Sequence, residues 1–322
     1  MRRSAVLAAV VLMVGGVLTA CLPIGDANAA PPLRLAVAYH WFGGLGGPGW
    51  SQQGQNPFSH YTPSQGFYTS DKATIAKQVA AMQYGNLDGS VDSWWGPGTY
   101  TDSTLQPALD AADGTGFKQA VYYEPSSSSA SAIASNLNYL HLHYANNRNW
   151  LYVGGKPVIV VYTDASCADA ANWAQANTDA NLGAGNTFHV ILRVFAGYTG
   201  CANQPDGWHQ YGPAVAEDHQ KGHSFTISPG YYKANEATPR LARNVFGWAQ
   251  EVTDMANSNE PLQLVTTFNE WGEGTAVESS TSWASPSGYG SYLDVMHSIL
   301  SGTTPPTTTT TTQPTTTTTT SP

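Results

Sequence analysis

The run Lys156–Asp164, KPVIVVYTD, is a short β-branched stretch closed by an aromatic residue and an acid, and an Ala-rich stretch from Ala168 to Ala180 follows it. The first has the composition of a strand and the second that of a helix. The same alternation recurs on both sides. Strand-like runs begin near Leu33 (RLAVAYHWF), Leu87 (LDGSVDSWWG), Phe117 (FKQAVYYEP), Lys156, Thr187 (TFHVILRVFA), Gly207 (GWHQYG, the weakest), His223 (HSFTISPGY) and Leu262 (LQLVTTFNEW). Helical stretches fall between them: Asp71 to Tyr84 with Asp71 as N-cap, Ser103 to Ala112, Ser129 to Asn146, Ala168 to Ala180, Thr238 to Ala256, and a last one near Tyr292 to Leu300. Strands alternating with helices imply a parallel sheet. Eight units within residues 31–302 predict an α/β fold of the (β/α)8 TIM-barrel type in a single domain. An open doubly wound sheet shares the alternation, but no G-x-G-x-x-G follows the first strand.

The two ends read differently. Residues 1–30 open with Met1, Arg2 and Arg3 and continue as an apolar stretch from Ala5 to Ala20, the pattern of an export signal. The stretch is shorter than the ~20 residues a helix needs to cross a bilayer. Leu18, Thr19, Ala20 and Cys21 form a lipobox-like site that would leave a lipid on Cys21, whereas Ala27, Asn28 and Ala29 offer ordinary A-x-A cleavage; the first is preferred and both stay open. The expected location is extracellular, either secreted or surface-anchored, with a lipid on Cys21 as the sole membrane attachment. Residues 303–322 are a Thr/Pro-rich tract with nothing to bury, predicted to be a disordered tail. Cys167 and Cys201 follow strands expected to be neighbours, so they are predicted to pair in an oxidising compartment, with two free buried thiols as the alternative.

The net charge is −9 and only 11% of residues are charged, against ~25% in typical globular proteins. No basic patch suits nucleic acid. No H-E-x-x-H, paired C-x-x-C or EF-hand loop is present, so neither a metal nor a cofactor is expected, and a G-x-S-x-G elbow is missing too. A monomer is expected. Ten Trp and seventeen Tyr fit either stacking on sugar faces or the filling of a large core.

In a barrel of this kind the C-terminal strand ends build the site. Those ends carry Tyr39, His40 and Trp41; Asp92, Trp94 and Trp95; Tyr122, Tyr123 and Glu124; Tyr162 and Asp164; Tyr231 and Tyr232; and Asn269, Glu270, Trp271 and Glu273. Aromatic and polar groups at strand after strand suggest a saccharide cleft. Glycosidic cleavage needs one carboxyl to protonate the leaving oxygen and another to generate or stabilise the nucleophile. Glu270 and Glu273 are the candidate pair. Three residues apart in a turn, they share one side, and two acids so placed do not both ionise freely. The expected binding residues are Tyr39, His40, Trp41, Trp94, Trp95, Tyr123, Glu124, Tyr162, Tyr231, Tyr232, Asn269 and Trp271.

The segment FNEWGEGTAVE (268–278) resembles the signature of glycoside hydrolase family 99, the endo-α-mannosidase group. AYHWFGG, SVDSWWGPG, YYEP, GGKPVIVVY and SPGYY resemble further parts of that family, over about Leu33 to Ser301. The resemblance implies a retaining, endo-acting hydrolase of α-linked, mannan-type polysaccharide that passes through a 1,2-anhydro sugar. Glu270 would then assist the substrate's own 2-hydroxyl, and Glu273 would be the general acid and then base. Gly272 stands where the family usually has His, which leaves the substrate open. The alternatives are an α-1,3-glucanase of the family 71 type, whose segment usually holds Asn-Asp, and a non-catalytic carbohydrate-binding surface lipoprotein.

Overall fold

The computed structural model describes residues 31–126, 129–162, 165–180, 183 and 187–302. The predicted export signal with Cys21, Asp164 and the Thr/Pro tail lie outside these residues. In chain order the elements are β1 (Leu33–Ala38), α1 (Lys72–Tyr84), β2 (Gly89–Trp94), α2 (Tyr100–Ala111), β3 (Lys118–Tyr123), α3 (Ala130–Leu140), β4 (Tyr152–Val153), β5 (Lys156–Val161), α4 (Cys167–Asp179), β6 (His189–Arg193), β7 (Gly207–His209), β8 (Glu217–Gln220), β9 (Ser224–Ile227), α5 (Val245–Ser258), β10 (Leu262–Val265) and α6 (Ser291–Leu300).

All eight predicted strands form, and they lie side by side in the order β7-β6-β5-β3-β2-β1-β10-β9, with β8 outside β9. Each neighbouring pair among the eight is parallel, for example Ala36↔Ser90 and Ala36↔Val265 on the two sides of β1. Only β8 and the two-residue β4 run antiparallel to their neighbours. No ladder joins β7 to β9. The ring closes there through the Thr226 hydroxyl, which donates to the Gln210 carbonyl just past β7 at 2.7 Å. The predicted single-domain barrel is thus observed, nearly closed, and the described residues from Pro32 to Gly302 pack as one unit.

Helix starts follow from side-chain caps that satisfy otherwise orphaned N–H groups. Asp71 accepts from Thr74 N at 2.8 Å, and Thr99, Ser129, Ser166 and Asn244 serve α2, α3, α4 and α5 in the same way. One π-turn, His141–Ala145, extends α3. Two expectations are corrected. The helix expected from Thr238 begins at Val245 instead, because Pro239 interrupts the stretch and residues 240–241 fold back to hydrogen-bond Tyr231. Full strand–helix alternation also fails on one flank. After β6 there is a single 3-10 turn, Tyr198–Gly200, and after β7 the chain returns as β8, so six α-helices stand among the described residues.

The composition question is answered by burial. Eight of the ten tryptophans, at 50, 94, 150, 173, 208, 248, 271 and 283, are in the core, which leaves Trp41 and Trp95 for a surface role. Cys167 and Cys201 form the predicted disulfide, with Cα atoms 5.2 Å apart, joining the start of α4 to the loop after the neighbouring β6.

Candidate active site

The site grows out of the end of β10. Phe268 N continues the ladder by donating to Val37 O at 2.7 Å. The Asn269 side chain then grips the backbone of Tyr39 with both ends, Oδ1 accepting from Tyr39 N at 2.7 Å and Nδ2 donating to Tyr39 O at 2.9 Å. The chain next makes an outward excursion through Glu270–Gly274 and returns, with Val277 N and Glu278 N both donating to Phe268 O. Every carbonyl from Asn269 to Gly274 is satisfied. Those of 269, 270 and 271 accept from Trp271, Thr275 and Gly274 N–H groups, those of 272 and 273 from Ala234 and Tyr232 N–H groups, and that of 274 from the Arg243 guanidinium. Gly274 has φ +66°, and a Cβ there would lie 2.6 Å from Tyr232 O, so the excursion requires glycine at that position. A turn with its carbonyls paired in this way holds its two acids in fixed places.

Both acids face one groove of about 260 Å³ at the C-terminal end of the barrel, lined also by Tyr39, Trp41, Gln52, Gln53, Phe58, Trp95, Glu124, Tyr162, Tyr211, Lys233, Asn235 and Gly272. The long segment between β1 and α1 forms one wall. It meets the segment after β9 where Asn235 Nδ2 donates to Gln53 Oε1 at 2.9 Å and where His60 stacks on Tyr232 at 3.6 Å. Gly272 is tightly enclosed, since a Cβ there would lie 2.8 Å from the Phe58 ring and 3.0 Å from Glu270 Oε1. Phe58 fills the space that a larger residue at 272 would take.

The electrostatics are those of a crowded acid cluster. Burial pushes the Glu270 carboxyl well above its ordinary range, and Glu273 and Glu124 push it further, while the N–H groups of Glu273 and Gly272 favour its ionised form. Burial also raises Glu273, and here the effect is opposed by the Tyr211 hydroxyl, which donates to Oε2 at 2.7 Å, and by Lys233, 3.9 Å from Oε1. Glu124 is pushed up to about 7, first by burial and then by the Glu273 charge, against a hydrogen bond from the Ser93 hydroxyl at 3.1 Å. All three acids therefore hold their protons more tightly than an exposed glutamate does. Among the described residues, no three His, Cys, Asp or Glu converge to hold a metal ion.

Of the residues expected at the site, Tyr39, Trp41, Trp95, Glu124, Tyr162, Glu270 and Glu273 line the groove. Tyr231 lies just behind, with its hydroxyl within reach of Glu273. Six others lie outside the groove lining. His40 is buried against Asp92, Nε2 to Oδ1 3.4 Å. Trp94 is fully buried and donates to Asp102 of α2 at 2.9 Å, and Tyr123 points toward α3, accepting from Asn136 at 2.7 Å. Asn269 is occupied by Tyr39. Trp271 is fully buried, donates to Tyr68 OH at 3.0 Å and stacks on Trp283 rather than presenting a face to the groove. Tyr232 stacks on His60 at the rim instead of lining the groove. Sequence reasoning missed Gln52, Gln53, Phe58, Tyr211, Lys233 and Asn235. Tyr211 was within reach, two residues past His209 of the weakest strand, on the parity that faces inward.

The architecture was compared with known proteins. The chain shares its fold with solved GH99 endo-alpha-mannosidases. Two structures of the enzyme from Bacteroides thetaiotaomicron, one in complex with BIS-TRIS-propane, each superpose with a TM-score of 0.66 at 19% identity, covering 83% of this chain and 96% of theirs. A structure described as a glycoside hydrolase-like protein gives a TM-score of 0.58 at 14% identity, covering 88% of this chain and 97% of its own. No protein-family model and no curated protein matches the sequence. The likeness is one of fold.

Proposed function

We propose that the protein is a glycoside hydrolase of the family 99 type, acting within α-linked, mannan-type polysaccharide, with Glu270 and Glu273 as its catalytic carboxyls. The observation that carries this reading is that the two acids, predicted as the pair from sequence, face one groove at the C-terminal end of the barrel with both carboxyls raised above their ordinary range. Two carboxyls of which one resists ionisation while the other is charged provide an ionised base and a neutral acid at once. In the assignment taken from the resemblance, Glu270 accepts the proton of the sugar's 2-hydroxyl as that oxygen attacks C1. Glu273 protonates the departing glycosidic oxygen, and the resulting 1,2-anhydro sugar is opened by water, with Glu273 now taking the water's proton and Glu270 returning its own to O2.

Burial of Glu270 works against its ionisation, and the N–H groups of Gly272 and Glu273 support it. The active form holds one proton between the two acids, so activity should rise with pH as the pair loses its first proton and fall as it loses its second. Trp95, 49% exposed at the groove edge, is suited to stack on a pyranose face. We further propose export through residues 1–30, with or without a lipid on Cys21. The test is hydrolysis of α-mannan, α-1,3-glucan and bacterial wall glycans by the wild type, Glu270→Gln and Glu273→Gln, with product sizes measured. Short oligosaccharides from the wild type alone support the reading. A wild type that binds these glycans without cleaving any of them removes it.

A further inference from the structure

Behind the catalytic turn lies a stack of charge and rings that the proposed chemistry does not use. The Arg243 guanidinium rests on the Trp283 ring, 3.9 Å from its centroid, and Trp283 lies nearly parallel to Trp271 at 6.0 Å and 13°. Trp271, the residue between the two catalytic acids, donates its indole N–H to Glu278 Oε2 at 3.2 Å. A cation and an anion thus bracket a pair of stacked indoles, and among the described residues neither is found in an ion pair.

Glu278 is instead saturated by neutral groups of the site's own scaffold, and Arg243 is held at Nη2 and by the ring faces of Tyr61, Trp283 and Tyr292. Glu278, 5% exposed, accepts at Oε1 from Gln65 (2.8 Å) and Gln78 (3.0 Å), and at Oε2 from Tyr68 (2.8 Å) and Trp271. Four donors fill the four acceptor positions of a carboxylate. Tyr68 in turn accepts from Asn269, the residue that grips Tyr39. On the other side, Arg243 Nη2 donates to Gly274 O at 2.8 Å and Ala276 O at 2.6 Å, holding the return limb of the excursion directly after Glu273. Gly230 makes room for this side chain, because a Cβ there would lie 2.5 Å from Arg243 Cγ.

We infer that Arg243 and Glu278 are positioning residues that hold the turn carrying Glu270 and Glu273 from behind, Arg243 through the carbonyls of 274 and 276 and Glu278 through the Trp271 indole. The inference rests on the functional reading above. Neither residue lines the groove, so neither touches substrate. Their effect reaches the acids through backbone placement, and misplacement by about 1 Å costs on the order of 10²-fold in rate.

The test uses the full chain with Glu278→Gln, which sets an amide NH2 against donors that now meet a carboxylate, and with Arg243→Met and Arg243→Lys. On the glycan that the wild type cleaves, Glu278→Gln and Arg243→Met are expected to lower kcat on the order of 10²-fold with KM within about threefold. The pH profile should move, because Glu273 no longer sits squarely on the Tyr211 hydroxyl. Arg243→Lys, which keeps a cationic donor, should recover part of the loss, and it carries the test if the methionine variant fails to fold. A lower melting temperature with kcat and pH profile unchanged in the folded variants overturns the inference. A wild type that cleaves nothing counts against the functional reading alone. The carboxyl 13C titration of Glu273 then decides positioning, a displaced midpoint in the variants supporting it and an unmoved one overturning it.

Discussion

Glu124→Gln should make the protein more stable at pH 8 while leaving it nearly unchanged at pH 4. The Glu124 carboxyl titrates at about 7 in the folded chain against 4.5 for an unburied glutamate, mainly because it is buried. Below pH 4.5 folded and unfolded forms are both protonated there, and the acid costs nothing. As pH rises toward 7 the unfolded chain gives up this proton while the folded chain retains it, so stability is lost across that window and the loss levels off above it. At about 1.36 kcal/mol per pH unit, the gap amounts to about 3 kcal/mol. A glutamine has no charge to bury, and its amide oxygen still accepts from Ser93, so the variant avoids the cost. At ~2–4 °C per kcal/mol for a domain of this size, the variant should melt roughly 6–12 °C higher at pH 8. Calorimetric melts of both proteins from pH 4 to pH 8.5 would show two curves that meet at the acid end and diverge above pH 5. Parallel curves, or a variant that melts lower at pH 8, would refute the claim that burial of this carboxyl is what raises it.

Three further outcomes follow from the geometry. Gly272→Ala should abolish most glycan cleavage, because the added methyl meets the Phe58 ring at 2.8 Å and Glu270 Oε1 at 3.0 Å; adding Phe58→Ala should restore part of it, and a double variant no better than the single one argues against the clash. The adjacent tryptophans should behave oppositely. Trp95→Ala should weaken glycan binding with little change in melting temperature, whereas Trp94→Ala, which empties a fully buried site, should cost ~3–5 kcal/mol in denaturant unfolding; equal effects on both measurements would contradict the facing assigned to them. Cys167→Ser opens a loop of 34 residues and should lower stability by about 3–4 kcal/mol in the chain-entropy picture, and an unchanged unfolding midpoint would count against it.

The barrel was legible because its strands are short apolar runs at regular intervals, and this periodicity is local. All eight were placed from sequence, as was the Asp71 cap. The missing helices on the β6–β7 flank were less legible, since nothing local marks the 3-10 turn or the antiparallel return of β8. Within the site, the acids were readable from FNEWGEG, but the clustering of aromatic residues at strand ends did not say which of two neighbours faces inward. Tyr39 and His40, Tyr122 and Tyr123, and Trp94 and Trp95 each split between the groove or barrel interior and the helical layer, as the two-residue period of a strand requires. Phe58, Gln53 and Asn235 come from long segments without periodicity, and their places depend on contacts between distant parts of the chain.

The flank without helices has a bearing on where this chain can be made. Six of the eight strands are followed in sequence by a helix, whereas β6 is followed by a loop tied down at Cys201. In that sector the disulfide adds a covalent tie to the packing of Phe195 and Tyr198 on Trp208. Produced among reducing thiols, the protein would keep its barrel and lose this one covalent tie, so the sector after β6 would be the first to loosen in a reducing medium.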